Sequence, residues 1–110
     1  MSRDSLGDFE QLLLLAILRC RDDAYGITIR DEIENRAGRS ASLGAIYTGL
    51  DRLEQKKFVS SWTGGATAER GGRAKRFYRV EAAGQAALRE SLRATKRMTV
   101  GIEQVLGGAR

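Results

Sequence analysis

The first 57 residues of the chain carry three stretches in which apolar side chains recur every three or four positions. This spacing predicts three amphipathic helices, over about residues 8–20, 25–36 and 42–57. Their apolar faces consist of Phe9, Leu12, Leu13, Ala16, Ile17 and Cys20, then Tyr25, Ile29 and Ile33, then Leu43, Ile46, Tyr47, Leu50 and Leu53. Because the turns between them span only a few residues, we expect a compact helix-turn-helix arrangement.

The hydrophobic period changes after the third predicted helix. Residues 58–63 are rich in β-branched and aromatic side chains, and residues 73–80 alternate Arg76, Tyr78 and Val80 with Lys75, Phe77 and Arg79. Both patterns are typical of strands. Glycine pairs at 64–65 and 71–72 bound the connection, so the segment predicts a β-hairpin.

The C-terminal part of the chain predicts one long helix over about residues 82–106. One face of this helix is the candidate surface for contact with a partner helix. Its residues recur in alternating three- and four-residue steps, and the candidate dimerisation residues on it are Leu88, Leu92, Thr95, Thr99, Ile102 and Leu106. A long amphipathic helix that follows a complete small domain needs another surface to bury its apolar face. A second copy of the chain is the economical partner, so we expect a homodimer.

The net charge of +5 is concentrated in the predicted hairpin. Residues 55–80 hold seven basic side chains against one acidic side chain, whereas residues 1–54 hold seven basic and ten acidic ones. A charged hairpin can simply protect an edge strand from aggregation. The clustering instead favours contact with a polyanion such as DNA.

Several classes of protein are disfavoured by what the sequence lacks. No apolar run approaches the roughly 18–20 residues of a membrane span, and no apolar signal stretch is visible, so we expect a cytoplasmic protein. The chain has no histidine and a single cysteine, Cys20. These residues offer no disulfide, no Cys/His metal site and no histidine-activated nucleophile, so we expect no enzyme, cofactor or metal. Cys20 closes an apolar stripe and is interpreted as a structural thiol.

Three helices followed by a basic hairpin predict an α+β, mainly helical fold, a winged helix-turn-helix with a long C-terminal helix. Residues 1–81 would form a DNA-binding domain and residues 82–110 a dimerisation helix. In such a domain the third helix enters the major groove, where small side chains near its start let the backbone approach the base edges. Candidate residues of this kind are Ser42, Gly44, Ala45 and Thr48.

The other candidate DNA-binding residues are Tyr47 and Arg52 on the third helix and Arg70, Arg73, Lys75 and Arg76 on the hairpin. Tyr47 belongs to the apolar stripe, so a core position is equally consistent with the pattern. Arg52 follows Asp51 and also fits a solvated or ion-paired side chain. The hairpin arginines and lysine would follow the flanking phosphates or reach the minor groove.

The chain also resembles a known family in several motifs that occur in order. These are Leu6-Gly-Asp-Phe-Glu-Gln-Leu12, Ala24-Tyr-Gly-Ile27, Ser42-Leu-Gly-Ala-Ile-Tyr47, Leu50-Asp-Arg-Leu-Glu54 and Gly71-Gly-Arg-Ala-Lys-Arg-Phe-Tyr78. Together they resemble the PadR family of bacterial transcriptional regulators. The resemblance implies a dimeric winged-helix repressor with a single C-terminal dimerising helix, which responds to a small aromatic effector. The family often has glycine between the third helix and the wing, where this chain has Lys57.

The predicted function is therefore sequence-specific binding of double-stranded DNA at a pseudo-palindromic operator, with repression that a small molecule relieves. One alternative is a winged-helix module that binds proteins and has no salt-dependent affinity for duplexes. A small enzyme or ligand-binding protein is the other alternative. The glycines of the hairpin do not open a helix, so they lack the context of a phosphate-binding loop.

Overall fold

The computed structural model describes residues 6–64 and 74–107 and contains the predicted elements in the predicted order. The helices and strands are α1 (Asp8–Cys20), α2 (Gly26–Glu32), α3 (Leu43–Gln55), β1 (Val59–Gly64), β2 (Lys75–Val80) and α4 (Ala82–Thr99). A 3₁₀ turn, Arg21–Asp23, follows α1, and a π-helical turn, Ile33–Ala37, continues α2. The predicted fold class, a mainly helical winged helix-turn-helix with a C-terminal helix, is confirmed. The predicted start of the second strand, Arg73, lies outside the described residues.

Helix α1 forms the centre of the core, because α2, α3, β2 and α4 all pack against it. Leu13, Ala16 and Ile17 are buried as the apolar stripe predicts. Leu14 is also fully buried, although it lies outside that stripe. A helix contacted from several sides buries a wider arc than a surface helix does, and this explains the additional leucine. Cys20 at the end of α1 is half-buried, and burial raises the pKa of its thiol.

The second helix begins one residue later than predicted, because Tyr25 has extended backbone and precedes α2. The backbone N–H of Tyr78 donates to the carbonyl of Ala24 at 2.9 Å, and Tyr25 forms an isolated antiparallel bridge with Phe77. Tyr25 therefore belongs to the edge of the sheet rather than to the apolar face of α2. The buried residues of the second helical segment include the predicted Ile29 and Ile33.

Helix α3 ends in a left-handed turn that leads directly into the wing. The N–H of Phe58 donates to the carbonyl of Leu53 at 2.9 Å, and the N–H of Lys57 donates to that of Glu54 at 3.0 Å. These two bonds form a Schellman motif, in which the residue after the helix is usually glycine. Lys57 occupies that position with φ +66°, and a left-handed conformation costs a side-chain-bearing residue about 1 kcal/mol.

The two strands pair antiparallel in a register that runs from Val59 opposite Val80 to Gly64 opposite Lys75. Side chains alternate between the two faces of a strand. Val59, Tyr78 and Val80 therefore point together into the core, where all three are buried. The other face of the hairpin, which we call the outer face, carries Trp62 and Phe77 side by side.

Helix α4 is shorter than predicted. It ends at Thr99, after which Val100 is extended and Gly101 has φ +89°. The prediction of a helix to residue 106 is wrong, and Ile102 and Leu106 lie in the turns that follow. Residues 100–107 are exposed, so no packing in the chain offsets the low helix propensity of glycine.

The predicted dimerisation residues on α4 have different environments. Leu88 is only 5% exposed and packs in the core of its own chain, so this chain already covers its side chain. Leu92 is 40% exposed and Thr95 is exposed, whereas Thr99 is half-buried. None of the helices in the part of the chain that the structure describes has both the length and the apolar character needed to cross a bilayer.

The start of α4 lies directly on the backbone of Phe58. The carbonyl of Phe58 accepts a hydrogen bond from the N–H of Glu81 at 2.8 Å. A Cβ atom at Gly84 would overlap the oxygen of this carbonyl and would lie 3.0 Å from its carbon. The helix can therefore make this contact only with glycine at position 84.

Gly84→Ala should destabilise the fold by about 2 kcal/mol, because the added methyl group meets backbone atoms that cannot move aside. Gly44→Ala is the matched control, since only the Ser42 hydroxyl, at 3.8 Å, lies near its added Cβ atom. Alanine in an exposed helical position should stabilise by about 0.5–1 kcal/mol. Urea denaturation measures both free energies of unfolding, and equal effects of the two substitutions would contradict the close contact at Gly84.

An ion pair joins the first turn of α1 to the end of α3. Lys56 Nζ lies 2.8 Å from Glu10 Oε1, and the same carboxylate oxygen accepts the backbone N–H of Gly7 at 3.1 Å. Partial burial alone would raise the pKa of Glu10. The hydrogen bonds from Lys56 and Gly7 and the charges of Lys56 and Arg52 outweigh it and lower the pKa.

Glu10 should therefore make stability pH-dependent. A carboxylate with a lowered folded-state pKa stabilises fully above its unfolded-state pKa, near 4.5, and this contribution is lost as the pH falls through the folded-state value. Between pH 6 and 3 the free energy of unfolding should fall more steeply for the wild type than for Glu10→Gln. Glu34→Gln, at an exposed glutamate, should follow the wild-type profile. A Glu10→Gln profile parallel to the wild type would contradict the role of this carboxylate.

Candidate nucleic-acid interface

Helix α3 separates its buried residues from a solvent-facing surface made mostly of small side chains. Ile46, Leu50 and Leu53 are fully buried. The opposite side presents the predicted residues Ser42, Gly44, Ala45, Thr48 and Arg52, all of which are exposed. We call these five residues the α3 surface. The structure thus brings together the small residues that sequence analysis selected as candidates for base contact.

The start of α3 is held by its own first side chain. Ser42 is the N-cap residue, and its Oγ accepts a hydrogen bond from the backbone N–H of Ala45 at 3.1 Å. A hydroxyl that accepts one hydrogen bond keeps its own proton to donate to another group. Ser42 can therefore cap the helix and donate to an external oxygen at the same time.

One side of the α3 surface borders the start of α1. Ala45, Thr48 and Arg52 line a cavity of about 510 Å³ together with residues 7–10. Arg52 forms no ion pair with Asp51 or any other acidic group within the described residues. Of the roles considered for Arg52, the structure therefore disfavours the internal ion pair and leaves the guanidinium available to an external anion.

Tyr47 lies on the opposite border of the α3 surface, beside the start of α2. Its side chain is 41% exposed, so the structure does not place it in the core with Ile46, Leu50 and Leu53. Its ring packs over the backbone of Gly26. Within residues 6–64 and 74–107, its hydroxyl has no hydrogen-bond partner.

The two described basic candidates of the wing point to opposite faces of the hairpin. Arg76 lies on the face that packs towards α3, where its Nε donates to Ser61 Oγ at 3.1 Å. Ser61 in turn donates to Glu54 Oε2 at 2.7 Å. This chain of hydrogen bonds links the wing to α3 through two residues that sequence analysis did not select. The period-two alternation of β2 could have identified the face of Arg76.

Lys75 belongs to the outer face, where it lies beside the half-buried rings of Tyr25 and Phe77 and the exposed Trp62. Its Nζ lies 4.3 Å from the centroid of the Tyr25 ring, a distance typical of a cation–π interaction. The Phe77 ring meets the Tyr25 ring edge-on, with 5.7 Å between the ring centroids, and stacks on the Trp62 ring, with 5.8 Å between the centroids. Lys75 therefore does not share the side of the wing that Arg76 occupies. The predicted wing residues Arg70 and Arg73 lie outside the described residues.

The chain matches the family model described as the transcriptional regulator PadR-like family over residues 14–90. The comparison with curated proteins found no match. Among solved structures, the chain is similar to a PadR family transcription regulator from Clostridium difficile, with 24% identity and a TM-score of 0.71 over 89% of this chain and 98% of that chain. A PadR-like transcriptional regulator from Bacillus cereus has 18% identity and a TM-score of 0.72, over 89% of this chain and 90% of that chain.

A third similar structure is Bacillus subtilis PadR in complex with operator DNA. It has 22% identity and a TM-score of 0.66, and the match covers 77% of this chain and 46% of that chain. At these identities the solved structures show that the fold is shared. The family match is broader evidence, because it extends from Leu14 in α1 to Glu90 in α4 and so covers more than half of the sequence. The chain therefore belongs to the PadR-like family of transcriptional regulators.

Proposed function

We propose that this chain is a homodimeric repressor that binds a pseudo-palindromic operator and is released from it by a small-molecule effector. The observation that carries the proposal is the α3 surface, in which exposed small side chains surround an uncovered stretch of helix backbone. Operator binding by Bacillus subtilis PadR, a protein of similar fold, supports DNA as the partner.

The α3 surface suits base reading in the major groove. Each base pair presents a distinct set of donors and acceptors there, and a helix must approach closely to reach them. Among the described residues, apart from its two chain neighbours and the backbone of its own helix, no heavy atom lies closer than 3.8 Å to the position of a Cβ atom at Gly44, so little bulk at this point of the first turn would hold DNA away. Thr48 would reach the base edges one turn further along, and its hydroxyl can donate or accept.

Contacts to the phosphates would come from the margins of this surface. Arg52 lies at one border of α3, and Arg76 lies on the wing face that packs towards α3. Lys75 would reach the DNA backbone from the other side of the wing. Such contacts set the register of the protein on the duplex and supply affinity without sequence information.

The dimer would form through the C-terminal part of the chain. Exposed apolar side chains cluster there at Leu92, Met98, Val100, Ile102, Val105 and Leu106. A groove of about 520 Å³ between α1 and the π-helical turn, lined by Leu12, Leu15 and Ile33 among others, is a second apolar surface that the chain leaves open. A two-fold dimer that buries these surfaces would read two inverted half-sites, hence a pseudo-palindrome.

Repression would follow from occlusion of a promoter that overlaps the operator. An effector bound near the dimer interface would change the spacing or tilt of the two α3 helices and so lower operator affinity. The proposal of effector release rests on the family resemblance.

Selection of bound fragments from the source genome with the purified protein tests the DNA-binding function. We expect enrichment of fragments that share an inverted repeat, and transcription in vitro from an adjacent promoter should fall when the protein is added. The protein-binding alternative predicts no salt-dependent affinity for any duplex. A rise in transcription would contradict repression while leaving operator binding intact. Candidate small molecules added to the preformed complex should then lower operator affinity if the effector proposal holds.

Arg76→Ala should weaken binding to operator and non-operator duplexes alike. The slope of log K against log salt concentration should become shallower by about 0.9, the value for one lost phosphate contact. Arg79→Ala is the matched control, because it removes the same charge from the same strand. Arg79 differs from Arg76 in lying on the outer face, where its guanidinium packs over the Trp62 ring. Fluorescence anisotropy between 50 and 200 mM salt measures both slopes, and an unchanged slope for Arg76→Ala would contradict the wing contact.

Leu92→Glu should shift the protein towards the monomer, because it introduces an unpaired charge into the proposed dimer interface. Arg93→Glu changes the next exposed residue of α4, which lies on another face of the helix, and should leave the dimer intact. Sedimentation equilibrium distinguishes twice the chain mass of 12.1 kDa from the mass itself. A dimer of undiminished affinity in Leu92→Glu would exclude this residue from the interface.

A further inference from the structure

At the start of α2, a tyrosine ring from the exposed border of α3 packs against a glycine. A Cβ atom at Gly26 would overlap the Tyr47 hydroxyl oxygen, and it would lie 2.5 Å from Cζ and 3.1 Å from Cε1 of the same ring. Non-bonded atoms do not approach Cβ atoms so closely in folded proteins. The observed position of the phenol therefore exists only because residue 26 has no side chain.

The conformation of Gly26 itself does not require glycine. Gly26 is the first residue of α2, and it is absent from the glycines with positive φ in the described part of the chain. An alanine at a helix start would normally be tolerated and would raise helix propensity. The feature specific to glycine here is the space that the Tyr47 ring occupies.

The ring does not contribute to the core in the way its apolar neighbours do. Ile46 and Leu50 are fully buried, whereas Tyr47 is substantially exposed, and its hydroxyl has no partner within the described residues. A buried tyrosine hydroxyl usually has a hydrogen-bond partner within the protein, whereas the hydroxyl of an exposed tyrosine can bond to water or to a ligand. A hydroxyl that has no partner among the described residues, on an exposed side chain at the border of the α3 surface, can donate to an external acceptor.

We propose that Gly26 is a positioning residue for DNA binding, which holds the Tyr47 phenol in the orientation in which its hydroxyl donates to a backbone phosphate. This inference rests on the proposed DNA-binding function and adds a residue outside α3 and the wing. The glycine acts by fixing one orientation of the ring before DNA arrives, which reduces the conformational entropy lost on binding. A methyl group at position 26 displaces the ring into solvent and removes this preorganisation.

The test is a double-mutant cycle on the operator duplex, with the wild type, Gly26→Ala, Tyr47→Phe and the double variant. Tyr47→Phe retains the ring and loses only the donor, so its affinity should fall about 3- to 10-fold, the effect of one neutral hydrogen bond. Gly26→Ala should reduce affinity by a similar factor. The double variant should be no weaker than the weaker single variant, because both changes remove the same contact. Additive losses would overturn the proposal.

A readout in the free protein separates positioning from a purely structural role. The Tyr47 ring should shift the backbone NMR signals of Gly26 by its ring current, and Tyr47→Phe should retain that shift. Tyr47→Ala should abolish it. If Gly26→Ala alone fails to fold, the pair Tyr47→Ala and Gly26→Ala/Tyr47→Ala provides the same test, since the overlap is absent without the ring. The double variant should be at least as stable as Tyr47→Ala, because alanine raises helix propensity, and the two should bind DNA equally. A further loss of affinity in the double variant would contradict the proposal.

The outcomes also distinguish this inference from the proposed function. If the wild type binds no duplex, the DNA-binding function fails, while the ring-current shift still reports the contact between Gly26 and Tyr47. If the wild type binds an operator and Gly26→Ala binds it equally well, the function stands and the positioning role of Gly26 is rejected.

Discussion

Phe58 connects α3, the wing and α4. Its N–H closes the end of α3 through the carbonyl of Leu53, its own carbonyl accepts the first N–H of the α4 start, and its side chain lies in the core. The wing begins at the next residue. A displacement of Phe58 would therefore change the direction of α3, the wing and α4 together. This junction requires a close contact at Gly84 and a left-handed conformation at Lys57. The packing around the junction offsets the free energy that these two features cost.

The junction gives α3 a fixed buried side, while its other side has no partner among residues 6–64 and 74–107. Isoleucine and leucine anchor the helix to α1, and the bonds from Arg76 through Ser61 to Glu54 tie the wing to it. These hydrogen bonds connect α3 to the wing, although the charge is concentrated in the wing segment and the small side chains are on α3. In the proposed complex, this arrangement would assign phosphate contacts mainly to the wing and base contacts to α3.

Much of the fold could be predicted from local patterns, because the apolar stripes of α1, α2 and α3 and the alternation of the wing depend on short-range periodicity. The local patterns gave wrong predictions at positions where contacts between distant parts of the chain determine burial or the end of an element. Leu14 is buried because several elements surround α1, and Tyr25 joins the sheet because β2 lies beside it. Helix α4 ends early at Val100 and Gly101, where no described part of the chain packs against a further turn. The small residues of the α3 surface were predictable from spacing, whereas the position of Tyr47 depends on a glycine 21 positions earlier.

The wing has an optical property that follows from its composition. Trp62 is the only tryptophan of the chain, and it lies on the outer face, 44% exposed, stacked on Phe77 with the Arg79 guanidinium 5.6 Å from its ring. Its near-ultraviolet emission therefore originates in the wing and in no other element. Because the indole lies on the outer face, which also carries Lys75, a change in this emission on adding DNA would report a change in the surroundings of that face of the wing. The unmodified protein thus contains its own probe of how the wing responds to a ligand.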